Sequence, residues 1–316
     1  MRGVDAIMAA RRADAFAKRS IKSSSKRQAL RLAMSMLDLT TLEGKDTAEK
    51  VRGLCRKAMH PLDLPPGVTP PEPPVPPVAA VCVYPTLVPV AKEALAGSAV
   101  RVAAVATGFP SAQYPLEVRL RDCADAIAAG ADEVDMVISR GLFLSGHADE
   151  VAREIRETRA VCAQPPKGAP AHLKVILETG ELETLDNVRR ASDLAIEAAC
   201  TVPGLPMPTD GEVFIKTSTG KVQPAATMPV TLVMLEAIRD AFLASGVRIG
   251  MKPAGGIRTA KQAIAYLVMV KETLGEEWLS PHLFRFGASA LANDIARQVL
   301  RMQAGGYMAG YDVSEA

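Results

Sequence analysis

The chain alternates eight times between a short apolar run and a longer amphipathic segment. The runs are bounded by Gly, Pro or Thr, and their length is typical of buried parallel strands. They lie at 35–40, 78–84, 100–106, 132–138, 173–178, 212–216, 248–252 and 283–287. The amphipathic segments predict helices over 47–59, 87–96, 115–129, 148–162, 184–200, 229–244, 259–274 and 289–303.

Eight strand–helix pairs in this order predict an α/β fold, a single TIM (β/α)8 barrel over residues 35–304. A doubly wound sheet is the alternative, and it would usually carry a GxGxxG motif after its first strand. No such motif follows residues 35–40. We therefore predict a barrel with an N-terminal helical extension at 1–34 and a C-terminal tail at 305–316.

Two segments depart from the alternation. Residues 1–34 hold nine Lys or Arg and two Asp, which favours a basic soluble helix and linker, with an organelle transit peptide as the alternative. Residues 61–77 hold nine prolines and predict a stiff, extended insertion at the bottom of the barrel. Pro74 and Pro77 also fit a PxxP docking motif, which is a weak pattern in so proline-dense a stretch.

Composition narrows the class of partner. A net charge of +2 and 4% aromatic residues argue against a nucleic-acid-binding protein. Five cysteines without a CxxC pair favour reduced thiols in a cytoplasmic protein, and four unpaired histidines give no metal site. The uncharged stretch 73–91 holds six prolines, so it is not a membrane helix. We expect a small-molecule substrate and no membrane.

Two lysines end neighbouring predicted strands, Lys216 after FI and Lys252 after GM. In barrel enzymes the active site lies at the carboxyl ends of the strands, and neighbouring strands are about 4.8 Å apart. If both side chains point inward, burial and like charge lower the pKa of at least one amine. A neutral lysine beside another cation is suited to forming a Schiff base. Two exposed lysines at strand ends remain the alternative.

Carboxylates in the apolar runs extend this candidate site. Asp135 lies within EVDMVI, where a buried carboxylate needs partners, either as a proton-transfer group or in a structural ion pair. Asp38, in the run MLDLT, is also a candidate for proton transfer or for a structural ion pair. Its alternative role is to cap the first helix. Lys174 and Glu178 stand at the start and end of the fifth predicted strand.

Gly- and Ser-rich loops follow the last three predicted strands. Backbone amides in such loops bind phosphate, which predicts an anion site at the position that barrels commonly use for phosphate. Lys221 and Arg258 add positive charge. The candidate residues are Gly220, Lys221, Gly255, Gly256, Arg258, Gly287 and Ser289.

The sequence resembles the deoxyribose-phosphate aldolase family in eight motifs, in order from the first strand to the eighth. Those motifs are LDLTTL (37–42), VCVYP (81–85), VATGFP (105–110), GADEVDMVI (130–138), LKVILETGEL (173–182), FIKTSTGK (214–221), MKPAGGIRT (251–259) and RFGASAL (285–291). The resemblance implies a class I aldolase on a TIM barrel that needs no metal or other cofactor. It implies reversible cleavage of 2-deoxy-D-ribose 5-phosphate to glyceraldehyde 3-phosphate and acetaldehyde.

The resemblance also implies residue roles. Lys216 would form the Schiff base, Lys252 would lower its pKa, and Asp135 would transfer protons. Asp38 and Lys174 would belong to the supporting polar network. The seven loop residues would hold the phosphate, and the family implies a homo-oligomer such as a dimer.

The sequence departs from the bacterial members in three places. Ala290 stands where those members often carry a second serine that binds phosphate. Tyr307 or Tyr311 would have to replace a terminal tyrosine that reaches the site, and the N-terminal extension is similar to the longer animal-type members. Another Schiff-base aldolase or transaldolase and a non-catalytic sugar-phosphate-binding barrel remain as alternatives.

Overall fold

Seven parallel strands form one sheet in a computed structural model that describes residues 3–62, 64 and 70–304. The strands lie side by side in chain order, which requires a crossover after each one. They are β1 (Asp38–Thr40), β2 (Ala80–Val83), β3 (Arg101–Ala106), β4 (Glu133–Val137), β5 (His172–Ile176), β6 (Val213–Lys216) and β7 (Gly250–Lys252).

Helices cover the outer face of this sheet. The eight predicted helices begin and end within two residues of their predicted bounds, and α6 is an additional short helix. Two more, α1 and α2, precede the sheet. The helices are α1 (Ala6–Ala17), α2 (Ser23–Ser35), α3 (Ala48–Met59), α4 (Val88–Ala94), α5 (Leu116–Ala128), α6 (Arg140–Leu144), α7 (Ala148–Ala163), α8 (Leu185–Cys200), α9 (Met228–Ser245), α10 (Ala260–Leu274) and α11 (Ser289–Ala304).

The described residues do not form the predicted eighth strand at 283–287 as a ladder. Phe284 and Gly287 make isolated parallel bridges to Met251 and Ala254, whereas Phe286 bridges to Leu37 on the other side. Because no two successive residues pair with the same neighbour, no ladder develops. The segment still donates from Phe286 N to Met36 O (2.8 Å), and so contacts both edges of the sheet.

The first strand is also shorter than predicted. Helix α2 continues through Ser35, and the backbone N–H of Met36 caps it, so that β1 begins only at Asp38. Helix α1 begins at Asp5, whose side chain accepts a hydrogen bond from Met8 N. It packs on α9 and α10, and Arg12 forms an ion pair with Glu236 of α9.

Strand residues alternate between two environments because successive side chains point to opposite faces. Outward residues such as Val81 and Val134 join one large apolar core with the helices. The inward face carries the charged residues, such as Asp135, together with smaller apolar clusters that include Cys82 and Ile176. Gly250 is required here, since a Cβ would lie 2.5 Å from the ring of Phe214.

The proline-rich segment is described in part, because residues 63 and 65–69 lie outside the described residues. Arg31 of α2 donates to the carbonyl oxygens of Pro73 and Pro74, and Gln303 donates to Pro70 O at 3.1 Å. The tail at 305–316, with Tyr307 and Tyr311, also lies outside.

No helix in the described part of the chain is long and apolar enough to cross a membrane. Within the same residues, no group of His, Cys, Asp and Glu side chains is arranged to hold a metal ion.

Candidate active site

The carboxylate of Asp135 accepts hydrogen bonds from three lysines. Its Oδ2 lies 2.7 Å from Lys216 Nζ and 2.9 Å from Lys252 Nζ, and its Oδ1 lies 2.9 Å from Lys174 Nζ. The register of the strands brings these side chains close together. Asp135 of β4 pairs with Lys174 of β5, and Lys216 of β6 pairs with Lys252 of β7. All four side chains are buried, so the structure brings these predicted residues together.

Asp38 and two further charged residues surround this cluster. Asp38 lies 2.6 Å from Lys252 Nζ and accepts from Arg285 Nη1 at 2.8 Å. The other guanidinium nitrogen of Arg285 donates to Glu133 at 2.9 Å, and Glu133 also accepts from Lys174. The charged groups therefore form one continuous buried network.

Sequence reasoning missed Glu133 and Arg285, although both carry a usable signal. Glu133 precedes Asp135 by two residues and Arg285 precedes Gly287 by two, so each shares an inward face with a predicted site residue. A charged residue in an apolar run, two positions from another candidate, therefore predicts a partner in the same cluster.

Among its buried side chains, the network holds one more cation than it holds anions; the partly exposed Arg101 also pairs with Glu133, at 3.3 Å. Lys174, Lys252 and Arg285 balance Asp38, Glu133 and Asp135, and Lys216 is the fourth cation. An uncompensated charge is costly in a poorly solvated interior, and the seven buried groups become neutral together when one lysine loses its proton.

The lysine pKa values follow this balance. Burial and the Lys252 ammonium lower the pKa of Lys216, although Asp135 opposes them. Burial also lowers the pKa of Lys252, but Asp135 and Asp38 outweigh it and hold that pKa above its ordinary value. Asp135 and Glu133 likewise raise the pKa of Lys174. Lys216 is therefore the lysine of the three that most readily becomes a neutral nucleophile.

A cavity of about 320 Å³ opens above these lysines, and both Lys216 and Lys252 line it. Five of the seven predicted phosphate residues also line it: Gly220, Lys221, Gly255, Gly287 and Ser289. Gly256 and Arg258 are exposed and lie outside this lining.

Several polar groups at the cavity already have partners. Lys221 Nζ lies 2.7 Å from Glu43 Oε1 across the cavity, and Ser289 Oγ donates to Thr40 O at 3.0 Å. The backbone N–H of Gly255 donates to Gly287 O. An incoming anion would thus compete with Glu43 for the Lys221 ammonium.

Comparison with known proteins identifies the family. A model described as DeoC/LacD family aldolase matches residues 32–294. Deoxyribose-phosphate aldolases of Mus musculus and Homo sapiens are each 46% identical to this chain over 308 residues, covering 94% of it and 89% of each relative. The chain belongs to the DeoC/LacD aldolase family. A deoxyribose phosphate aldolase structure from Aeropyrum pernix shares the fold, with a TM-score of 0.58 and 20% identity over 90% of this chain and 100% of that one.

In this DeoC/LacD family aldolase, Arg285→Met should lower the free energy of unfolding by about 3–5 kcal/mol, because it removes one charged hydrogen bond from each of the buried carboxylates of Asp38 and Glu133. Lys252 and Lys174 remain as their ion-pair partners. Chemical denaturation measures the change. Arg121→Met, which removes an exposed pair with Asp125, is the control and should leave the unfolding midpoint almost unchanged. Equal losses in the two variants would contradict the structural role of the network.

Proposed function

We propose that the chain is a deoxyribose-phosphate aldolase, a class I carbon–carbon lyase. It would cleave 2-deoxy-D-ribose 5-phosphate reversibly to D-glyceraldehyde 3-phosphate and acetaldehyde, in deoxyribonucleotide catabolism. The observation that carries the proposal is the buried Lys216, whose pKa is lowered and whose amine lies 2.7 Å from Asp135 at the floor of a cavity. The 46% identity to relatives of that name supports the substrate.

In the proposed reaction, neutral Lys216 attacks C1 of the open-chain sugar. The carbinolamine loses water to give a protonated imine, which withdraws electrons from the C2–C3 bond. Burial raises the pKa of Asp135, but Lys174, Lys216 and Lys252 together hold it well below its ordinary value. Asp135 is therefore ionised and available as a base.

Bond cleavage then follows from the position of Asp135. It accepts the proton of the C3 hydroxyl through a water molecule, the C2–C3 bond breaks, and glyceraldehyde 3-phosphate leaves. The enamine on Lys216 takes up a proton, and hydrolysis releases acetaldehyde. Lys252 remains charged throughout, and its ammonium favours the neutral form of the Lys216 amine between turnovers.

The phosphate end of the substrate would contact the loop residues of the same cavity lining. These are Gly220, Lys221, Gly255, Gly287 and Ser289. Ser289 also begins α11, whose N-terminal dipole favours an anion. Gly256 and Arg258 would contribute from the exposed part of their loop. Fixing the phosphate aligns C1 with the amine, which can supply several kcal/mol of catalysis.

Three further features belong to the proposal. The segment 283–287, bridged to both edges of the sheet, would close it into a (β/α)8 barrel. The chain would assemble with copies of itself, as a dimer or as a tetramer like the one described for the Aeropyrum pernix enzyme. The free thiols of all five cysteines favour a reducing compartment such as the cytoplasm.

Lys216→Ala should lower turnover of deoxyribose 5-phosphate by at least about a thousandfold, because it removes the nucleophile. It should not destabilise the fold, since the three buried cations and three buried anions that remain still balance. A coupled assay for acetaldehyde, run beside thermal unfolding, measures both effects. Wild-type preference for a different phosphorylated sugar would favour another aldolase or a transaldolase, and no cleavage of any sugar would favour a non-catalytic barrel.

Lys252→Met should move the acidic limb of the pH–rate profile upward by about 1–3 pH units. Activity rises with pH as Lys216 loses its proton, and removing the neighbouring ammonium raises the pKa of Lys216. Lys252→Arg keeps the charge and should keep the limb in place. A limb that does not move in Lys252→Met would contradict the pKa-lowering role of Lys252.

Lys221→Met should raise KM for deoxyribose 5-phosphate by about tenfold, the effect of losing one charged hydrogen bond. Arg258→Met should raise it less, because Arg258 lies outside the cavity lining. Unphosphorylated 2-deoxyribose is the control substrate, and neither variant should change its KM. A larger effect at Arg258 would show that the loop after β7 rearranges around the phosphate.

A further inference from the structure

Glu178 is a buried carboxylate that the proposed mechanism does not use. It directly precedes the short turn Thr179–Glu181 after β5, and its side chain is 0% exposed. It is separate from the buried charge network around Asp135, because its charged neighbours are Arg140 and Glu181. A buried carboxylate is costly unless it is hydrogen-bonded, so its partners indicate what it does.

The backbone at Glu178 is in the left-handed conformation, with φ of 54° and ψ of 59°. Glycine and asparagine adopt this conformation more readily than glutamate does. A strained residue persists only where its surroundings hold it, and such residues cluster at functional sites. The shape of the turn therefore does not explain why a glutamate occupies this position, and the contacts of its carboxylate must do so.

The partner of Glu178 is Thr219, which lines the substrate cavity. The backbone N–H of Thr219 donates to both carboxylate oxygens, at 3.2 and 3.3 Å, and its hydroxyl donates to Oε2. The single hydroxyl proton is thus directed at Glu178, which leaves the oxygen lone pairs free to accept. The backbone N–H of Lys221 donates to the hydroxyl oxygen of Thr219 at 3.0 Å, which closes a tight turn over Gly220.

The turn after β5 also contacts the two ends of this loop, residues 217–224. At the start, Thr179 N donates to Thr217 O at 2.9 Å. At the end, Gly180 packs so closely on Pro224 that a Cβ would lie 2.3 Å from its carbonyl oxygen. Glu178 is the side chain that holds the middle of the loop, where Gly220 and Lys221 face the cavity.

We propose that Glu178 is a positioning residue that sets the affinity of the site for the phosphate end of the substrate. It acts through Thr219, by holding the turn that presents Gly220 and Lys221. The inference rests on the proposed function, in which these two residues bind phosphate. Because Glu178 stands apart from the lysine cluster, it affects binding of the phosphate and leaves imine formation at Lys216 unchanged.

Glu178→Asn tests the proposal, since asparagine suits the left-handed backbone but is too short to reach Thr219. We expect kcat/KM for deoxyribose 5-phosphate to fall about tenfold or more, mainly through KM. For unphosphorylated 2-deoxyribose, kcat/KM should change by less than about twofold. Glu181→Gln, on the same turn but part-exposed, is the matched control and should behave as wild type.

Thr219 provides a second test. Thr219→Val should reproduce the KM effect, Thr219→Ser should restore wild-type KM, and Glu178→Asn should add little in a Thr219→Val background. Additive effects of the two substitutions, or equal losses on the phosphorylated and unphosphorylated sugars, would overturn the proposal. So would an unchanged KM in Glu178→Asn.

Inorganic phosphate separates this inference from the proposed function. Calorimetric titration should show that Glu178→Asn binds inorganic phosphate about tenfold more weakly than wild type does. If wild type cleaves no sugar but the variant still loses phosphate affinity, the proposed reaction fails and the role of Glu178 stands. Equal phosphate affinity in the two proteins, or no phosphate binding by wild type, would overturn the role of Glu178.

Discussion

The shared carboxylate of Asp135 is the interaction on which the site depends. Three ammonium groups converge on its two oxygens in an interior where each alone would be too costly to bury. Asp38, Glu133 and Arg285 extend the cluster until one cation remains without a counter-charge. The pKa of Lys216 is thereby lowered by burial and by the neighbouring Lys252 ammonium, while Asp135 stays ionised beside it.

This balance requires an unusual inner face of the seven-stranded sheet. Alternation along each strand sends most apolar side chains outward to the helices and places the charged residues on the inner face, beside small apolar clusters. Small residues make room, as at Gly250, where the ring of Phe214 occupies the position of a side chain. A buried ionic network stabilises a fold less than a well-packed apolar core of the same volume. Its presence here is therefore explained by chemistry rather than by stability.

Sequence reasoning reached the parts of this arrangement that depend on local pattern. Lys216 and Lys252 end adjacent strands, and Asp135 interrupts an apolar run, so periodicity alone made them candidates. Local pattern could not predict contacts between residues that are far apart in the sequence. The link from Arg285 to Asp38 spans 247 residues, and the exposure of Arg258 depends on how its loop folds back. The predicted eighth strand is seen only as isolated bridges for a related reason, because its residues divide their pairing between two neighbours.

Reductive trapping tests the central claim most directly. The full-length chain is incubated with deoxyribose 5-phosphate, reduced with borohydride, digested and mapped by peptide mass spectrometry. The charge balance predicts an adduct on Lys216 and none on Lys174 or Lys252, because those two amines are held in the charged form. An adduct on either of the other lysines, or sugar cleavage without any adduct, would contradict it.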